Sequence, residues 1–347
     1  MDLHSPLRLS LDGAALVANW RLLRRMSWGA VCGAAVKADG YGLGAGDVAL
    51  RLANAGCRDF FVATWAEAEA LREWVGDASI SVLHGVAAED MANAAASPAR
   101  PVLNTLGQVA RWKSLGPGRP CDVMIDTGIN RLGLSPAEAR SGLLEGLEID
   151  TLMSHLACAD EDSPANARQR SLLAEVATAV PARRRSLANS AGICLGADYA
   201  FDLTRPGLAL YGGVPRREAE GKIAQVLRVE AQIVQRRRVD AGEAVGYNAT
   251  WTAARPAEIA ILNIGYADGY LRGFSGTGRA RLGDLWAPVV GRVSMDLTAI
   301  LVDAAPELGE GDWVELDYYL PTAAAQSGLS QYELLTTLGA RHERRWR

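Results

Sequence analysis

Lysine is scarce in this 347-residue chain, because arginine takes almost every basic position and the only lysines are Lys37, Lys113 and Lys222. Long apolar runs are also missing: none reaches membrane-spanning length, and the N-terminus has no apolar core like that of a signal peptide. The five cysteines are scattered and form no C-x-x-C pair. This usage is typical of reduced thiols rather than of a disulfide framework or a zinc site. We therefore expect a cytoplasmic protein with no membrane partner and no bound metal.

Charge of one sign is not in large excess either. The formal net charge of −4 argues against nucleic acid or anionic membranes as partners. A composition of 49% hydrophobic and 22% charged residues is that of a soluble globular protein. The length exceeds what one small core needs, so we expect one large domain or two modest ones.

The first two-thirds of the chain alternate short β-type runs with alanine- and leucine-rich helical stretches such as Trp65–Trp74 and Asn166–Val180. The candidate strands are Val31–Lys37, Phe60–Thr64, Ile80–His84, Val102–Asn104, Cys121–Asp126, Thr151–His155, Ser186–Asn189 and Leu208–Tyr211. Eight strands with intervening helices predict a (β/α)8 barrel. Beyond about residue 220 the chain is β-rich, with glycine-containing turns.

The predicted fold class is therefore α/β, an N-terminal (β/α)8 TIM-type barrel with a C-terminal mainly-β domain. We place the barrel at residues 1–218 and the β domain at residues 219–347. Pairing of the extreme N-terminus with the β domain is left open.

Polar residues follow the predicted barrel strands at their C-terminal ends. They are Lys37, His84, Asp126, His155, Asn189 and Ser190. Barrels of this kind carry their chemistry on that rim. Six such placements predict an active site there.

Lys37 ends the apolar run Ala30–Val36 and precedes a glycine-rich turn that contains Tyr41. A lysine carried into an interior suits a Schiff base, because burial depresses its pKa. An ordinary strand-end lysine whose ammonium group reaches water fits this segment equally well.

The loops after the last two predicted barrel strands suit a phosphate group. Asn189 and Ser190 offer an amide and a hydroxyl, and Gly207 and Gly212 let backbone N–H groups approach a ligand. Arg131 lies in an uncharged Gly/Leu loop and suits a carboxylate or phenolate oxygen. Each of these features also fits ordinary loop or surface structure.

With these motifs the chain resembles the alanine racemases almost end to end. The matching segments are A-V-K-A-D-G-Y-G-L-G at 35–44, D-T-G-I-N-R-L-G at 126–133, M-S-H-L-A at 153–157, N-S-A at 189–191, R-P-G-L-A-L-Y-G at 205–212, V-G-Y-N at 245–248, G-Y-A-D-G at 265–269 and S-M-D at 294–296. The resemblance implies a barrel followed by a β domain, with pyridoxal 5'-phosphate as cofactor.

The resemblance also implies roles for single residues. Lys37 matches the lysine that carries the cofactor and acts as base on the D-alanine side. Tyr247 matches the opposing base, which a second copy of the chain supplies in a homodimer with shared active sites. The other cofactor positions are Tyr41, His155, Asn189, Ser190, Arg205, Gly207 and Leu208. The substrate positions are Arg131, Met295, Asp296 and Tyr266.

The implied activity is interconversion of L-alanine and D-alanine by two bases, which supplies D-alanine for peptidoglycan. A racemase of broader specificity and a non-catalytic pyridoxal-phosphate-binding protein remain as alternatives. A decarboxylase of the same barrel class is disfavoured, because Arg205 stands where those enzymes have an acidic residue.

Two positions depart from the family pattern. Met124 stands where many members have a carbamylated lysine that braces the arginine matched by Arg131. Ala340 stands where many members have a tyrosine that binds the phosphate group. We therefore predict weaker cofactor retention than in members that have both features.

Overall fold

A computed structural model describes residues 4–347, which divide into two compact units. The barrel unit comprises Leu16–Ala224, and the β unit comprises residues 4–15 together with Gln225–Arg347.

The strands are β1 Leu7–Leu11, β2 Val31–Cys32, β3 Ala34–Ala35, β4 Asp59–Val62, β5 Ser79–Val82, β6 Arg100–Leu103, β7 Pro120–Met124, β8 Glu148–Met153, β9 Arg184–Ser186, β10 Leu203–Thr204, β11 Leu227–Val239, β12 Ala244–Val245, β13 Trp251–Thr252, β14 Ala257–Leu262, β15 Arg279–Leu282, β16 Leu285–Val290, β17 Thr298–Leu301, β18 Trp313–Leu316 and β19 Glu343–Trp346. The α-helices are α1 Gly13–Met26, α2 Lys37–Tyr41, α3 Ala45–Ala55, α4 Trp65–Val75, α5 Met91–Ala96, α6 Leu106–Lys113, α7 Pro136–Ala139, α8 Pro164–Ala179, α9 Ser190–Cys194, α10 Ala197–Ala200, α11 Leu320–Ser327 and α12 Gln331–Thr336.

The barrel unit is built on seven parallel strands in the order β3-β4-β5-β6-β7-β8-β9. Strands such as β4 are buried along their whole length, because helices cover the outer face and side chains fill the interior. The segment after β10 joins the two ends of this sheet: the Arg205 N–H donates to the Ala188 carbonyl at 2.8 Å, and the Ala35 N–H donates to the Pro206 carbonyl at 2.8 Å. These bonds complete an eight-stranded barrel and confirm the predicted fold class.

The prediction for the last barrel strand was wrong. The strand is β10, which pairs in parallel with β2, whereas Leu208–Tyr211 forms a short 3-10 helix. All four residues of that helix are buried. Four consecutive apolar residues are compatible with either structure, because burial on all sides hides the periodicity that separates a strand from a helix.

An ionic network closes the end of the barrel where the strands begin. The Arg184 guanidinium donates to Asp59 and to Asp150, both at 2.7 Å. The Ser81 hydroxyl donates to Asp122 at 2.6 Å. Burial raises the pKa of the Asp122 carboxyl. The Arg184 guanidinium is paired with the Asp59 and Asp150 carboxylates, so this end is structural and chemistry is left to the opposite rim.

The β unit contains a ring of six strands, β14-β17-β16-β15-β18-β11, closed by pairing of β11 with β14. β1 extends the sheet as an antiparallel partner of β11 and a parallel partner of β19. Leu227, Val229, Ala231 and Ile233 alternate with more exposed residues along β11, as expected for a sheet with one covered face. Within residues 4–347, no helix is both long and apolar enough to cross a bilayer.

Candidate active site

Lys37 lies two residues after the end of β3 and starts a turn of left-handed residues. Ala38, Asp39, Gly40 and Tyr41 have φ values of 54°, 53°, 61° and 55°. This conformation costs about 1–2 kcal/mol for each non-glycine residue, so packing and hydrogen bonds must hold it. Asp39 accepts the N–H of Ala45 at 2.9 Å, which ties the turn to the start of α3.

The amine of Lys37 is partly buried within the barrel unit. Burial lowers its pKa most, and the charge of Arg131 lowers it further. The carboxylate of Glu67 acts in the opposite direction. The result is an amine that loses its proton more easily than an exposed lysine, which suits both a nucleophile and a base.

Tyr41 connects the lysine turn to the loop after β10. Its ring stacks on the ring of Tyr211 with centroids 4.6 Å apart, and Tyr211 donates to the Ala35 carbonyl at 2.7 Å. A β-carbon on Gly207 would lie 2.2 Å from the Tyr41 hydroxyl oxygen. Only glycine therefore fits at position 207 without displacing Tyr41.

The loops after β9 and β10 are held together by a serine. The Ser190 hydroxyl accepts the N–H groups of Gly207 at 3.0 Å and of Ala209 at 3.2 Å. Asn189 caps the short helix α9 by accepting the Gly192 N–H at 2.8 Å. Leu208 is buried between these contacts. Hydroxyl and backbone polar groups are thus brought together close to Tyr41.

Arg205 is a buried cation without a carboxylate partner in hydrogen-bond range among residues 4–347. It donates to the Ser154 carbonyl at 2.6 Å and to the Ser186 hydroxyl. Burial lowers its pKa to about 10, opposed by the charge of Asp122. Because an arginine with that pKa is still protonated at neutral pH, a positive charge is fixed at this position.

His155 follows β8 and lies within electrostatic reach of three cations. Burial lowers its pKa most, and the charges of Arg205, Arg131 and Lys37 bring it to about 3. The imidazole is therefore neutral over the physiological range.

The loop that carries Arg131 is organised by Asp126. One carboxylate oxygen accepts the N–H groups of Gly128, Ile129 and Asn130 at 2.8 to 3.1 Å, and the other accepts the Arg131 N–H at 3.2 Å. The Arg131 guanidinium is exposed and makes no hydrogen bond or ion pair with any residue that the structure describes. It is available to a ligand.

A buried polar network anchors the same loop to β8. The Thr127 and Ser154 hydroxyls lie 2.6 Å apart. The Gln169 amide donates to Thr127 at 3.2 Å and to the His155 carbonyl at 2.9 Å. Met124 lies beneath the loop, where its γ-carbon would be 3.0 Å from a β-carbon on Gly133. No sequence motif singles out Gln169, since its partners lie 14 and 42 residues away.

The remaining predicted residues lie in the β unit. Tyr247 stands at the tip of the β12–β13 hairpin and is 67% exposed. The Tyr266 N–H donates to the Ser294 carbonyl at 3.0 Å, so the Tyr266 turn and the segment with Met295 and Asp296 are adjacent. Met295 is exposed.

Arg341 joins the Tyr266 turn to the segment that contains Asp296. Its guanidinium binds Asp268 at 2.6 Å and Asp296 at 2.8 Å. The basic C-terminal segment Arg341–Arg347 is part of the folded β unit, because Arg341 forms these pairs and β19 joins the sheet. Arg341 lies 73 and 45 residues from Asp268 and Asp296 in the chain, so no local pattern indicates the pairing.

Fold and site together define a class: a protein with a (β/α)8 barrel, which carries a partly buried lysine of lowered pKa among other cations, followed by a β unit. Two family models match the chain, "Alanine racemase, N-terminal domain" over residues 11–215 and "Alanine racemase, C-terminal domain" over residues 226–346. The chain therefore belongs to the alanine racemase family. No group of His, Cys, Asp or Glu side chains within residues 4–347 has the arrangement of a metal site.

Individual relatives agree with the family assignment. An alanine racemase of Methylobacterium nodulans is 44% identical over 98% of this chain and 95% of its own length. One from Acidiphilium cryptum is 44% identical over 97% of each chain. The crystal structure of the Bartonella henselae alanine racemase, with covalently bound pyridoxal phosphate, superposes with a TM-score of 0.92 at 34% identity, covering 99% of this chain and all of that one. The biosynthetic enzyme of Pseudomonas aeruginosa gives a TM-score of 0.90 with the same identity and coverage.

Proposed function

We propose that this protein is an alanine racemase that uses pyridoxal 5'-phosphate to interconvert L-alanine and D-alanine. The observation that carries the proposal is the position of Lys37, whose amine with lowered pKa lies on the barrel rim among Arg131, His155 and Arg205. A lysine among cations needs an anionic partner, and a phosphorylated aldehyde supplies both the anion and a group that reacts with an amine.

The residues present fit this cofactor. The donor set is cationic and hydroxylic, which matches a phosphate and a phenolate oxygen. Position 207 has space only for glycine because Tyr41 is so near, and this lets the backbone of the loop approach a phosphate. Ser190, Tyr41 and the backbone of Gly207 and Leu208 would hold the phosphate, with Asn189 shaping the loop through α9.

When bound, pyridoxal phosphate supplies an electron-withdrawing group that acidifies the α-carbon of an amino acid. Lys37 Nζ would hold the cofactor covalently and move the proton on one face of the α-carbon. Tyr247 Oη, from a second copy of the chain, would hold the proton on the other face. Two groups on opposite faces are needed because racemisation removes a proton from one side and returns it on the other.

Arg205 and Arg131 would direct the outcome. Arg205 would donate a hydrogen bond to the ring nitrogen and, as a fixed cation, keep that nitrogen unprotonated. A cofactor ring with an unprotonated nitrogen is a weaker electron sink. This favours prompt return of the proton to the α-carbon over transamination or decarboxylation. Arg131 would bind the phenolate oxygen and the substrate carboxylate, with neutral His155 beside the ring. Met295, Asp296 and Tyr266 would border the substrate.

The assembly belongs to the same proposal. If Tyr247 acts in the partner's site, the protein is an obligate homodimer with two shared sites. We place it in the cytoplasm, where its product would serve peptidoglycan synthesis. The exposed position of Tyr247 at a hairpin tip supports a role outside its own unit.

The activity is tested by incubating the purified protein and added cofactor with each alanine enantiomer and a panel of other amino acids. Chiral chromatography should show interconversion of alanine at least about tenfold faster than of larger or charged amino acids. Comparable rates on the panel would instead indicate a broader racemase. No conversion of any amino acid would contradict the proposal.

Shared sites are tested by mixing two inactive variants, Lys37→Ala and Tyr247→Phe, under conditions that exchange subunits. About half of the dimers are then mixed, and each mixed dimer holds one complete site and one doubly deficient site. We expect recovery of about a quarter of wild-type activity. No recovery, with subunit exchange verified by mass spectrometry, would contradict sharing.

A further inference from the structure

Among the α-helices of residues 4–347, three begin with the same capping motif, in which a glutamate accepts the backbone N–H of the residue before the helix. The pairs are Thr64 with Glu67, Ser135 with Glu138, and Ser330 with Glu333. In the last two pairs the glutamate accepts hydrogen bonds only from its own serine, at 2.7 to 2.8 Å. This is the ordinary use of the motif.

Glu67 differs because its second carboxylate oxygen accepts a hydrogen bond from a residue outside its own helix. Oε2 accepts the N–H groups of Ala63 at 2.6 Å and Thr64 at 3.3 Å, which completes the cap of α4. Oε1 accepts the N–H of Ala38 at 2.8 Å. One carboxylate therefore joins the end of β4 to the residue that follows Lys37.

The Ala38 N–H is the first amide of the left-handed turn, whose φ values lie between 53° and 61°. The turn stores strain at Ala38, Asp39 and Tyr41. A hydrogen bond to a charged acceptor contributes about 1.5–3 kcal/mol, which is the same order as the strain at one such residue. The hydrogen bond from Ala38 to Glu67 thus stabilises the turn at its first residue after Lys37.

The other charged groups near this turn have their own partners or point to solvent. Asp39 accepts the Ala45 N–H, and His155 is neutral at physiological pH. On the elements packed against α2, the remaining charged groups are Asp47 paired with Arg51, Asp59 paired with Arg184, Glu69 paired with Arg72, and exposed Glu73. Arg131 and Glu67 remain as the charges that act on Lys37, in opposite directions.

We propose that Glu67 is a positioning residue for Lys37, which holds the turn after the lysine through the Ala38 amide and places a balancing negative charge next to it. Glu67 contacts neither substrate nor cofactor and acts through Lys37. The inference rests on the proposed function only in taking Lys37 as the lysine that carries the cofactor.

The chain's low lysine content makes a direct test practical. Full-length protein freed of cofactor is labelled with trace acetic anhydride between pH 6 and pH 11, and acetylation of each lysine is measured by mass spectrometry. Lys113 and Lys222 serve as internal references in the same sample. Glu67→Gln removes the charge and keeps one of the two acceptor oxygens, which can be turned towards the Ala38 N–H, so the midpoint for Lys37 labelling should fall by about 1 pH unit. The midpoints of the two reference lysines should not move.

Glu333→Gln is the matched control, because it alters the same capping motif in the β unit. It should leave the Lys37 midpoint unchanged. Glu67→Asp keeps the charge on a shorter side chain, so its midpoint for Lys37 labelling should lie nearer the wild-type value than the midpoint of Glu67→Gln. If Glu67→Gln fails to fold, Glu67→Asp replaces it in the comparison with the wild type. Equal Lys37 midpoints in the wild type, Glu67→Gln and Glu67→Asp would overturn the proposed charge effect.

A second readout tests the positioning role separately from the charge. Added pyridoxal phosphate is allowed to react with Lys37, borohydride fixes the adduct, and its rate of formation is followed by mass. Glu67→Ala should form the adduct at least about tenfold more slowly than Glu67→Gln, because it loses the Ala38 contact altogether. Equal rates in the two variants would contradict positioning. Neither readout depends on racemisation, so failure of the proposed function would appear separately.

Discussion

The guanidinium of Arg205 donates a hydrogen bond to the backbone carbonyl of Ser154 at 2.6 Å, so a buried cation is held by a neutral group. Its second partner, the Ser186 hydroxyl, is neutral as well. Ser154 also contacts Thr127 in the loop that carries Arg131. Ser154 therefore contacts both Arg205 and the loop that carries Arg131, the two arginines that the proposal assigns to cofactor and substrate.

The low pKa of His155 predicts acid sensitivity. Because the folded-state pKa is about 3, below the unfolded value of about 6.5, the folded form binds fewer protons. Its contribution to the free energy of unfolding is fully present above pH 6.5 and is lost as the pH falls towards 3. Between pH 7 and pH 5 the wild type should lose about 2 kcal/mol more than His155→Gln. Urea unfolding of the cofactor-free proteins measures this, and parallel losses would contradict it.

Gln169 is expected to affect substrate binding through the Arg131 loop. Gln169→Leu removes the contacts to Thr127 and the His155 carbonyl and leaves buried groups unpaired, at about 1–3 kcal/mol each. We expect the KM for alanine to rise by about tenfold with a smaller change in kcat.

Gln108→Leu is the matched control for this variant, because the Gln108 amide donates to the His84 carbonyl at 3.0 Å in the same way at another strand end. Gln108→Leu should lower the Tm by about as much as Gln169→Leu does and leave the KM for alanine near the wild-type value. Equal increases in KM for both variants would indicate a general loss of structure and would contradict a specific role for Gln169.

Cofactor retention should improve when a phenol is introduced at position 340. Ala340 is exposed, and the family resemblance implies that it replaces a phosphate-binding tyrosine. A hydrogen bond to a charged group is worth about 1.5–3 kcal/mol, so Ala340→Tyr should tighten the Kd for pyridoxal phosphate by about tenfold or more. Ala340→Phe adds the ring without the hydroxyl and should leave the Kd for pyridoxal phosphate unchanged. Fluorescence titration of cofactor-free protein measures both, and equal Kd values in all three proteins would refute the prediction.

The sequence predicted the barrel and its rim because these depend on local patterns. Lys37 and His155 follow apolar runs that form strands, and parallel strands bring their C-terminal ends to one rim. Leu208–Tyr211 was misassigned because a fully buried apolar run has no visible periodicity. The contacts of Glu67 with Ala38 and of Arg341 with Asp296 join residues 29 and 45 positions apart. Such contacts arise from tertiary packing, which a single sequence does not display.

The most direct test of the two-base account is proton NMR of L-alanine and D-alanine in deuterated buffer, with the wild type and the Tyr247→Phe variant. Both enantiomers should lose their α-proton signal with the wild type. With Tyr247→Phe, Lys37 should still exchange the α-proton of D-alanine, while L-alanine should keep its signal. Exchange of both enantiomers by this variant at the wild-type rate would contradict the assignment of Tyr247 as the second base.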